Sequence, residues 1–179
     1  MKIRTLFLTL FLSICYSGFT QDITFQQKII KYLKLNGTEQ QYNNAYDEMF
    51  VMLNQQFSNA SVPEAEWSSL KTNKEEDIAK VLGMLASAYR KHFTENEIEE
   101  MNTFYSSYVG SKLAKREEKI TAEDNKEVVY FFQSDVGRKI TEKQEALSKD
   151  IVEISEFWSR DLFMEKMNAL TAKGYQPQH

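Results

Sequence analysis

Two serine–lysine pairs have the residue types of a nucleophile and its base. Ser107 precedes Lys112 by the same number of residues as Ser134 precedes Lys139. A lysine activates a serine only when the two side chains lie within hydrogen-bond reach. Five residues along a helix turn through about 500°, so these side chains would lie about 140° apart around the axis. A Ser/Lys hydrolase is therefore the least favoured function, and we assign no catalytic residue.

The histidines and carboxylates do not form a recognisable metal site. His179 is the last residue, and His92 has only Glu95 nearby as a second ligand at helical spacing. A zinc site made of side chains needs three or four ligands. The sequence also lacks a calcium-binding loop and a glycine-rich phosphate loop. We therefore predict no metal and no cofactor, and we interpret His92 as a residue at the end of a helix.

The serines and lysines belong instead to an internal repeat. When residues 94–120 are aligned with residues 121–147, eight of the 27 positions are identical. Unrelated segments would match at about two positions, so a duplicated supersecondary unit is the better explanation. The identical pairs are Thr94/Thr121, Glu100/Glu127, Phe104/Phe131, Ser107/Ser134, Val109/Val136, Gly110/Gly137, Lys112/Lys139 and Glu118/Glu145.

Each copy has the pattern of a helical hairpin. A threonine three residues before an acid predicts a capping box, as in Thr94 with Glu97 and Thr121 with Asp124. An aromatic pair follows after about three helical turns, and the serine can then cap a second helix. We assign a structural role to the motif residues Phe104, Tyr105, Ser107, Gly110, Lys112, Phe131, Phe132, Ser134, Gly137 and Lys139.

The glycine and the lysine of the motif each suggest a packing role. Gly110 and Gly137 would occupy the third position of the second helix, where glycine lowers helix stability. Glycine is tolerated there if a neighbouring backbone or ring approaches closely. Lys112 and Lys139 lie in the next turn, where a lysine stem can cover aromatic rings.

The remaining sequence predicts an all-α fold, a helical bundle of short helical hairpins with a long C-terminal helix. Six glycines and two prolines in 179 residues are too few for a turn-rich β architecture. Asn36-Gly37 predicts a helix stop, Thr38 the cap of the next helix, and Asn73 with Glu76 another capping box. From Asp135 onward apolar residues follow one helical face without interruption.

A second apolar row widens the surface of this terminal helix. It consists of Val152, Phe157, Phe163 and Met167. Both rows can be core, or part of the surface can bind a partner. Residues 174–179 predict a flexible polar tail.

The N-terminus predicts a secretory signal peptide over residues 1–20. Lys2 and Arg4 precede an apolar run, and Gly18-Phe19-Thr20 has small residues at both positions that specify cleavage. Lipidation at Cys15 is disfavoured, because Ile14 stands where a small residue is needed. The apolar run is too short to span a membrane, so the chain is not expected to be an integral membrane protein. Residues 21–173 then form a single all-helical domain.

The charge of the chain argues against nucleic acid as a partner. The full chain has a net charge of −4, and loss of Lys2 and Arg4 with the signal peptide makes it more acidic. Binding of phosphates needs a basic stripe. The densest basic cluster, Lys112, Lys115, Arg116 and Lys119, is interrupted by two glutamates.

Two segments of the sequence carry a family resemblance. Residues 88–95 read AYRKHFTE, and residues 104–113 read FYSSYVGSKL. They resemble the secreted bacterial domain of unknown function numbered 2059. The resemblance implies an exported, all-helical protein without an assigned activity. The family usually has proline after the motif serine, where this chain has Tyr108 and Asp135.

The leading hypothesis for function is a periplasmic or secreted, non-enzymatic helical module that contacts another envelope protein. The alternative is a periplasmic carrier or sensor of an apolar ligand, because the mature chain is rich in phenylalanine and tryptophan. Core packing explains the same aromatic residues.

We predict that the protein is exported and cleaved near Thr20. The charged start, the apolar run and the small residues at 18 and 20 are the basis for this expectation. Intact-mass measurement of protein from the periplasmic fraction should give a chain that begins near Gln21. A chain in the cytoplasm that still begins at Met1 would contradict the prediction.

Overall fold

The regular elements of the described chain are all helical. The computed structural model describes residues 16–115 and 119–178. Its helices are α1 (Tyr16–Leu35), α2 (Thr38–Gln56), α3 (Glu64–Leu70), α4 (Lys74–His92), α5 (Glu95–Ser106), α6 (Tyr108–Lys115), α7 (Ala122–Gln133) and α8 (Asp135–Ala172). A short 3-10 turn covers Ser58–Ala60. The predicted all-α fold with a long C-terminal helix is confirmed. Residues 1–15 of the predicted signal peptide lie outside the described residues.

The turn between α1 and α2 confirms the predicted helix stop and corrects the predicted cap. Gly37 has a φ of 85°, a conformation that glycine adopts more readily than other residues. Gly37 is the N-cap of α2, and Thr38 is already helical. The backbone N–H of Thr38 donates to Asn36 Oδ1 at 3.0 Å. The prediction that Thr38 caps α2 is therefore wrong, because Thr38 already lies in the first turn, where its own N–H is one of the groups that need a partner from outside the helix.

The predicted capping box of Asn73 and Glu76 is also wrong. Asn73 does precede α4, but its side chain makes no capping hydrogen bond. Its backbone has φ −96° and ψ 18°, whereas a capping residue is normally extended. The N–H of Lys71 donates to Ser68 and that of Lys74 to Lys71, so a tight turn joins α3 to α4. This turn holds Asn73 in a nearly helical conformation from which its side chain cannot cap.

Helix α4 lies at the centre of the bundle. It packs against α1, α2 and α8, while α1 also packs along α5. Leu33, Tyr46, Leu53, Leu85 and Leu170 are among the side chains that are almost completely buried in this core. The apolar face of each helix therefore supplies the stability that short helices lack in isolation.

A buried ion pair joins α4 to the end of α8. Lys166 Nζ lies 3.1 Å from Asp77 Oδ2, and both side chains are almost fully buried. The indole N–H of Trp158 donates to the backbone oxygen of Asp77 at 3.1 Å. Burial of Lys166 opposes its charge, but hydrogen bonds to Glu165 and Asp77 outweigh this effect and raise its pKa. Lys166 therefore stays protonated, and its contact with Asp77 links α8 to α4.

The two apolar rows of α8 differ in burial. The main row is core, since Val136, Leu147, Trp158 and Leu162 are buried. The second row divides into two parts. Phe163 and Met167 pack against the core, whereas Val152 and Phe157 are each 53% exposed.

The last residues contact the end of α2. Tyr175 packs against the core, and the backbone N–H of Gln178 donates to the carbonyl of Gln56 at 2.7 Å. These contacts involve the segment for which the sequence predicts a flexible tail.

In the part of the chain that the structure describes, no helix combines the length and the apolar character that a membrane span requires.

Candidate functional site

Both predicted capping boxes of the repeat are formed. Thr94 accepts from the backbone of Glu97, whose carboxylate accepts the N–H of Thr94 at 2.8 Å. In the second copy Thr121 accepts from the backbone of Asp124, whose carboxylate accepts the N–H of Thr121 at 3.0 Å. Each box satisfies N–H groups at the beginning of α5 or α7 that have no partner within the helix.

The motif serines cap the following helices, as predicted. The N–H of Gly110 donates to Ser107 Oγ at 3.0 Å, and the N–H of Gly137 donates to Ser134 Oγ at 3.2 Å. Ser107 alone separates α5 from α6, and Ser134 alone separates α7 from α8. Serine therefore caps these helices even though Tyr108 follows it in the first copy.

The two glycines lie where the helices of each hairpin come closest. A Cβ atom on Gly110 would lie 2.0 Å from the carbonyl oxygen of Phe104. A Cβ atom on Gly137 would lie 2.2 Å from the carbonyl oxygen of Phe131. A corner made of one residue folds the start of the second helix onto the last turn of the first. The predicted close approach is confirmed, and the neighbouring group is backbone.

Each motif lysine pairs with an acid of the other copy. Lys112 Nζ donates to Asp124 Oδ2 at 2.7 Å, and Lys139 Nζ donates to both Glu97 oxygens at 2.8 Å. The acids are the same residues that complete the capping boxes. The ammonium groups also lie near rings, with Lys112 Nζ 5.2 Å from the centroid of Tyr108 and Lys139 Nζ 6.0 Å from that of Phe93. The cross-pairing was not predicted, although a lysine and a capping acid are present at equivalent positions in both copies.

The aromatic pairs of the two copies pack in the same reciprocal way. The rings of Phe104 and Phe131 stack in parallel, with centroids 3.9 Å apart. Phe104 meets Phe132 edge-on at 6.5 Å, and Tyr105 meets Phe131 edge-on at 6.3 Å. Equivalent residues thus make equivalent contacts in both directions, as in an isologous dimer interface. The two copies of the repeat are therefore related by an approximate two-fold axis within the chain, and this axis passes near the phenylalanine stack.

The cross-pairing changes the acidity of both capping carboxylates. Hydrogen bonds from Lys112, and then from Thr121, lower the pKa of Asp124 to about 2. Partial burial of Glu97 opposes its ionisation, but hydrogen bonds from Lys139 and Thr94 outweigh burial and lower its pKa. Both acids therefore remain charged at any pH near neutrality, and both lysine contacts persist.

A groove opens on the internal two-fold axis, and we call it the two-fold groove. Its volume is about 1090 Å³. Equivalent residues of both copies line it, together with Thr103, Tyr130 and Val136: the pairs are Glu100/Glu127, Phe104/Phe131 and Ser107/Ser134. In each copy the glutamate comes four residues before the phenylalanine. Tyr130 is 80% exposed and extends the apolar surface toward solvent.

The serines and lysines of the motif are engaged in contacts within the fold. Ser107 and Ser134 line the groove, but each Oγ accepts a backbone N–H from the first turn of the helix that the serine caps. The motif lysines point instead to the acids of the opposite copy. Within residues 16–115 and 119–178, no group of three or more His, Cys, Asp or Glu side chains is arranged to hold a metal ion.

His92 lies outside the two-fold groove. It is the last residue of α4, as predicted, and its Nε2 is 3.2 Å from Asp150 Oδ2 on α8. Lys91 contacts the same carboxylate. These contacts join α4 to α8.

The close approach at the glycines gives a stability prediction. Gly110→Ala and Gly137→Ala should lower the urea midpoint measured by circular dichroism, and leucine at either position should lower it further. Overpacking typically costs ~1 to 3 kcal/mol, and here the neighbouring atom is a backbone carbonyl that cannot rotate away.

Gly83→Ala is the matched control for this experiment. Gly83 lies inside α4, and a Cβ atom there would meet only Gln26 Nε2 at 3.8 Å, an ordinary contact distance. Alanine should therefore raise the midpoint, because it gains up to ~1 kcal/mol over glycine inside a helix. A raised midpoint in the Gly110 and Gly137 variants would contradict the packing role of these glycines.

The cross-pairing gives a prediction about pH. The pKa of Asp124 is about 2 in the folded chain and ~3.9 in an unfolded one. Its contribution to stability is therefore complete above about pH 4 and disappears as the pH falls towards 2. In Lys112→Met the unfolding free energy from urea titrations should fall less steeply over this pH range than in the parent protein.

Lys126→Met serves as the control, because Lys126 pairs with Glu123 within the same helix and both are exposed. The unfolding free energy of this variant should change with pH in the same way as that of the parent protein. If the Lys112 variant also behaved in this way, Lys112 would not be the cause of the lowered pKa of Asp124.

Comparison with known proteins identifies one family. The family described as "Uncharacterized protein conserved in bacteria" (DUF2059) matches residues 79–128 and again residues 121–165. No curated protein and no solved structure matches the chain. The first match contains residues 94–120, and the second contains residues 121–147, so each copy of the repeat falls within its own match. The predicted resemblance is thereby confirmed, and residues 79–165 carry the DUF2059 family pattern twice.

Proposed function

We propose that the protein is an exported, non-enzymatic helical module that binds a segment of another envelope protein in the two-fold groove. The observation that carries this proposal is the composition of the groove. Two copies of one motif form its floor from stacked phenylalanines, and its edge carries the exposed ring of Tyr130. An apolar floor next to an exposed aromatic ring is typical of surfaces that bind other proteins.

The open shape of the groove favours a chain segment over a small metabolite. Pockets for small molecules usually enclose ~300 to 1,000 Å³ and bury most of the ligand. This groove has a similar volume, about 1090 Å³, but it is largely open to solvent. A short helix or an extended strand of a partner would fit such a surface, which is one of the common modes of peptide recognition.

The arrangement of the serines and lysines supports binding rather than catalysis. A nucleophilic serine needs a base within ~2.6 to 3.2 Å of its oxygen. Here the motif serines accept backbone N–H groups, and Lys139 bridges to the carboxylate of Glu97. The duplicated motif is thus occupied with holding the hairpins together.

A second candidate function, carriage of an apolar ligand, is favoured by a seam between α2 and α8. Two cavities of about 460 and 430 Å³ lie along this seam, and both are lined by Ala45, Trp158 and Ser159. The exposed side chains of Met52 and Met164 lie at one end. Native mass spectrometry of purified protein separates the candidates, since a carrier would retain a lipid-sized mass.

Site-specific photo-crosslinking tests the proposed function in the native bacterium. A benzoylphenylalanine at Tyr130 should form an adduct that maps by mass spectrometry to one segment of one envelope protein. The matched control is the same replacement at Tyr108, which is 72% exposed but does not line the two-fold groove. Position 108 should give no such adduct.

Binding of the mapped segment to the purified protein completes the test. A synthetic peptide of that segment should bind the parent protein, and Thr103→Trp should abolish binding because the large ring fills the groove. Equal adducts at positions 108 and 130, or binding unaffected by Thr103→Trp, would exclude the two-fold groove as the interaction surface.

A further inference from the structure

Glu100 and Glu127 are identical in the two copies of the repeat but make no contact that stabilises the described fold. The other described pairs all serve the structure, as caps, stacked rings, core, close approach or cross-paired lysines. In the Glu118/Glu145 pair, Glu118 lies outside the described residues. Glu100 and Glu127 are exposed, and neither makes an ion pair within residues 16–115 and 119–178.

The acids around them differ in this respect. Glu99 also lines the two-fold groove, but Lys28 lies 3.1 Å from its carboxylate. Lys126 is the basic residue of the lining, and its ammonium group lies 2.7 Å from Glu123. Lys28 thus offsets the charge of Glu99, and Glu123 offsets the charge of Lys126. The net charge that faces the groove is therefore negative and comes from Glu100 and Glu127.

The two carboxylates have equivalent places around the apolar floor. Glu100 lies on α5, one turn before Phe104, and Glu127 lies on α7, one turn before Phe131. The two rings stack on each other at the internal two-fold axis. An occupant that covers the stack thus meets one carboxylate from each copy.

We infer that the two-fold groove selects a basic amphipathic segment, with an apolar side chain on the phenylalanine stack and a cationic side chain directed to each of Glu100 and Glu127. This inference rests on the proposed function and specifies the chemistry of the partner segment. Opposite charges at the rim of an interface improve association and discriminate against wrong partners.

The charge of the groove disfavours other occupants. An anionic lipid head or a nucleic acid would bring like charge to both carboxylates. A second copy of this chain that docked by the same surface would place four glutamates together around the axis. A basic segment neutralises the pair and covers the apolar floor at the same time.

Three synthetic peptides test the inference on the purified protein. All are amphipathic helices of the same length with leucine on one face, and the other face carries lysine, glutamine or glutamate. The lysine peptide should bind most tightly in fluorescence anisotropy, and its affinity should fall between 0.1 and 1 M salt, where the screening length falls from about 10 to 3 Å. Glu100→Gln with Glu127→Gln should weaken its binding about tenfold, because two exposed charge pairs are lost.

The double variant Glu145→Gln with Glu153→Gln controls for net charge. Both residues are exposed on α8, away from the two-fold groove, and this variant should bind the lysine peptide like the parent. Equal loss of affinity in the two double variants, or equal affinity for the lysine and glutamine peptides, would overturn the inference.

Crosslinking from position 130 separates this failure from failure of the proposed function. If the glutamine peptide crosslinks at Tyr130 as well as the lysine peptide does, the groove binds segments but does not select charge. If no peptide crosslinks there although the lysine peptide binds, both the inference and the proposed function fail.

Discussion

A corner made of one serine controls the geometry of each hairpin. Ser107 is extended and caps the second helix, so that helix begins directly against the last turn of the first. The carbonyl of Phe104 then occupies the space that a side chain at position 110 would need. Only glycine satisfies this constraint without movement of the backbone, although glycine weakens the helix. The orientation of α6 against α5, and of α8 against α7, depends on this contact.

The corner also places the charged groups that join the two hairpins. Lys112 is largely buried, and a buried ammonium group is costly unless it is paired and hydrogen-bonded. Asp124 supplies that partner while its carboxylate also accepts the N–H of Thr121. One carboxylate therefore closes a helix cap and an ion pair between copies. Lys139 of the second copy makes the equivalent contact with Glu97 of the first copy. Neither hairpin therefore forms its complete set of polar contacts alone.

The two-fold groove is a consequence of this reciprocal packing. The phenylalanine stack holds the hairpins together at the axis, and the same two rings line the groove. The residues that build the contact face inward and are satisfied. Glu100 and Glu127 remain on the open side with their charge available. A duplication that stabilises a small helical unit thus also produces a surface with two equivalent acidic positions, which a single copy of the motif cannot provide.

The sequence alone determined the features that depend on contacts within a few residues. The helical class, the repeat, the capping boxes at Thr94 and Thr121, the serine caps and the need for glycine at 110 and 137 all follow from local spacing, because helix ends and tight corners are satisfied by nearby groups. Local patterns failed at Asn73, where the preceding turn imposed a nearly helical backbone.

The tertiary structure decided which distant groups meet. Lys112 and Asp124, or the rings of Phe104 and Phe131, come together only after two hairpins pack across the internal axis, and no local pattern specifies how hairpins will pack. The burial of Phe163 and the exposure of Phe157 on α8 were decided in the same way, because identical residue types on one helix differ only in what the neighbouring helices cover. Helical periodicity places a side chain on one face of a helix. The packing of the other elements determines whether that face is buried in the core, forms ion pairs or lines a groove.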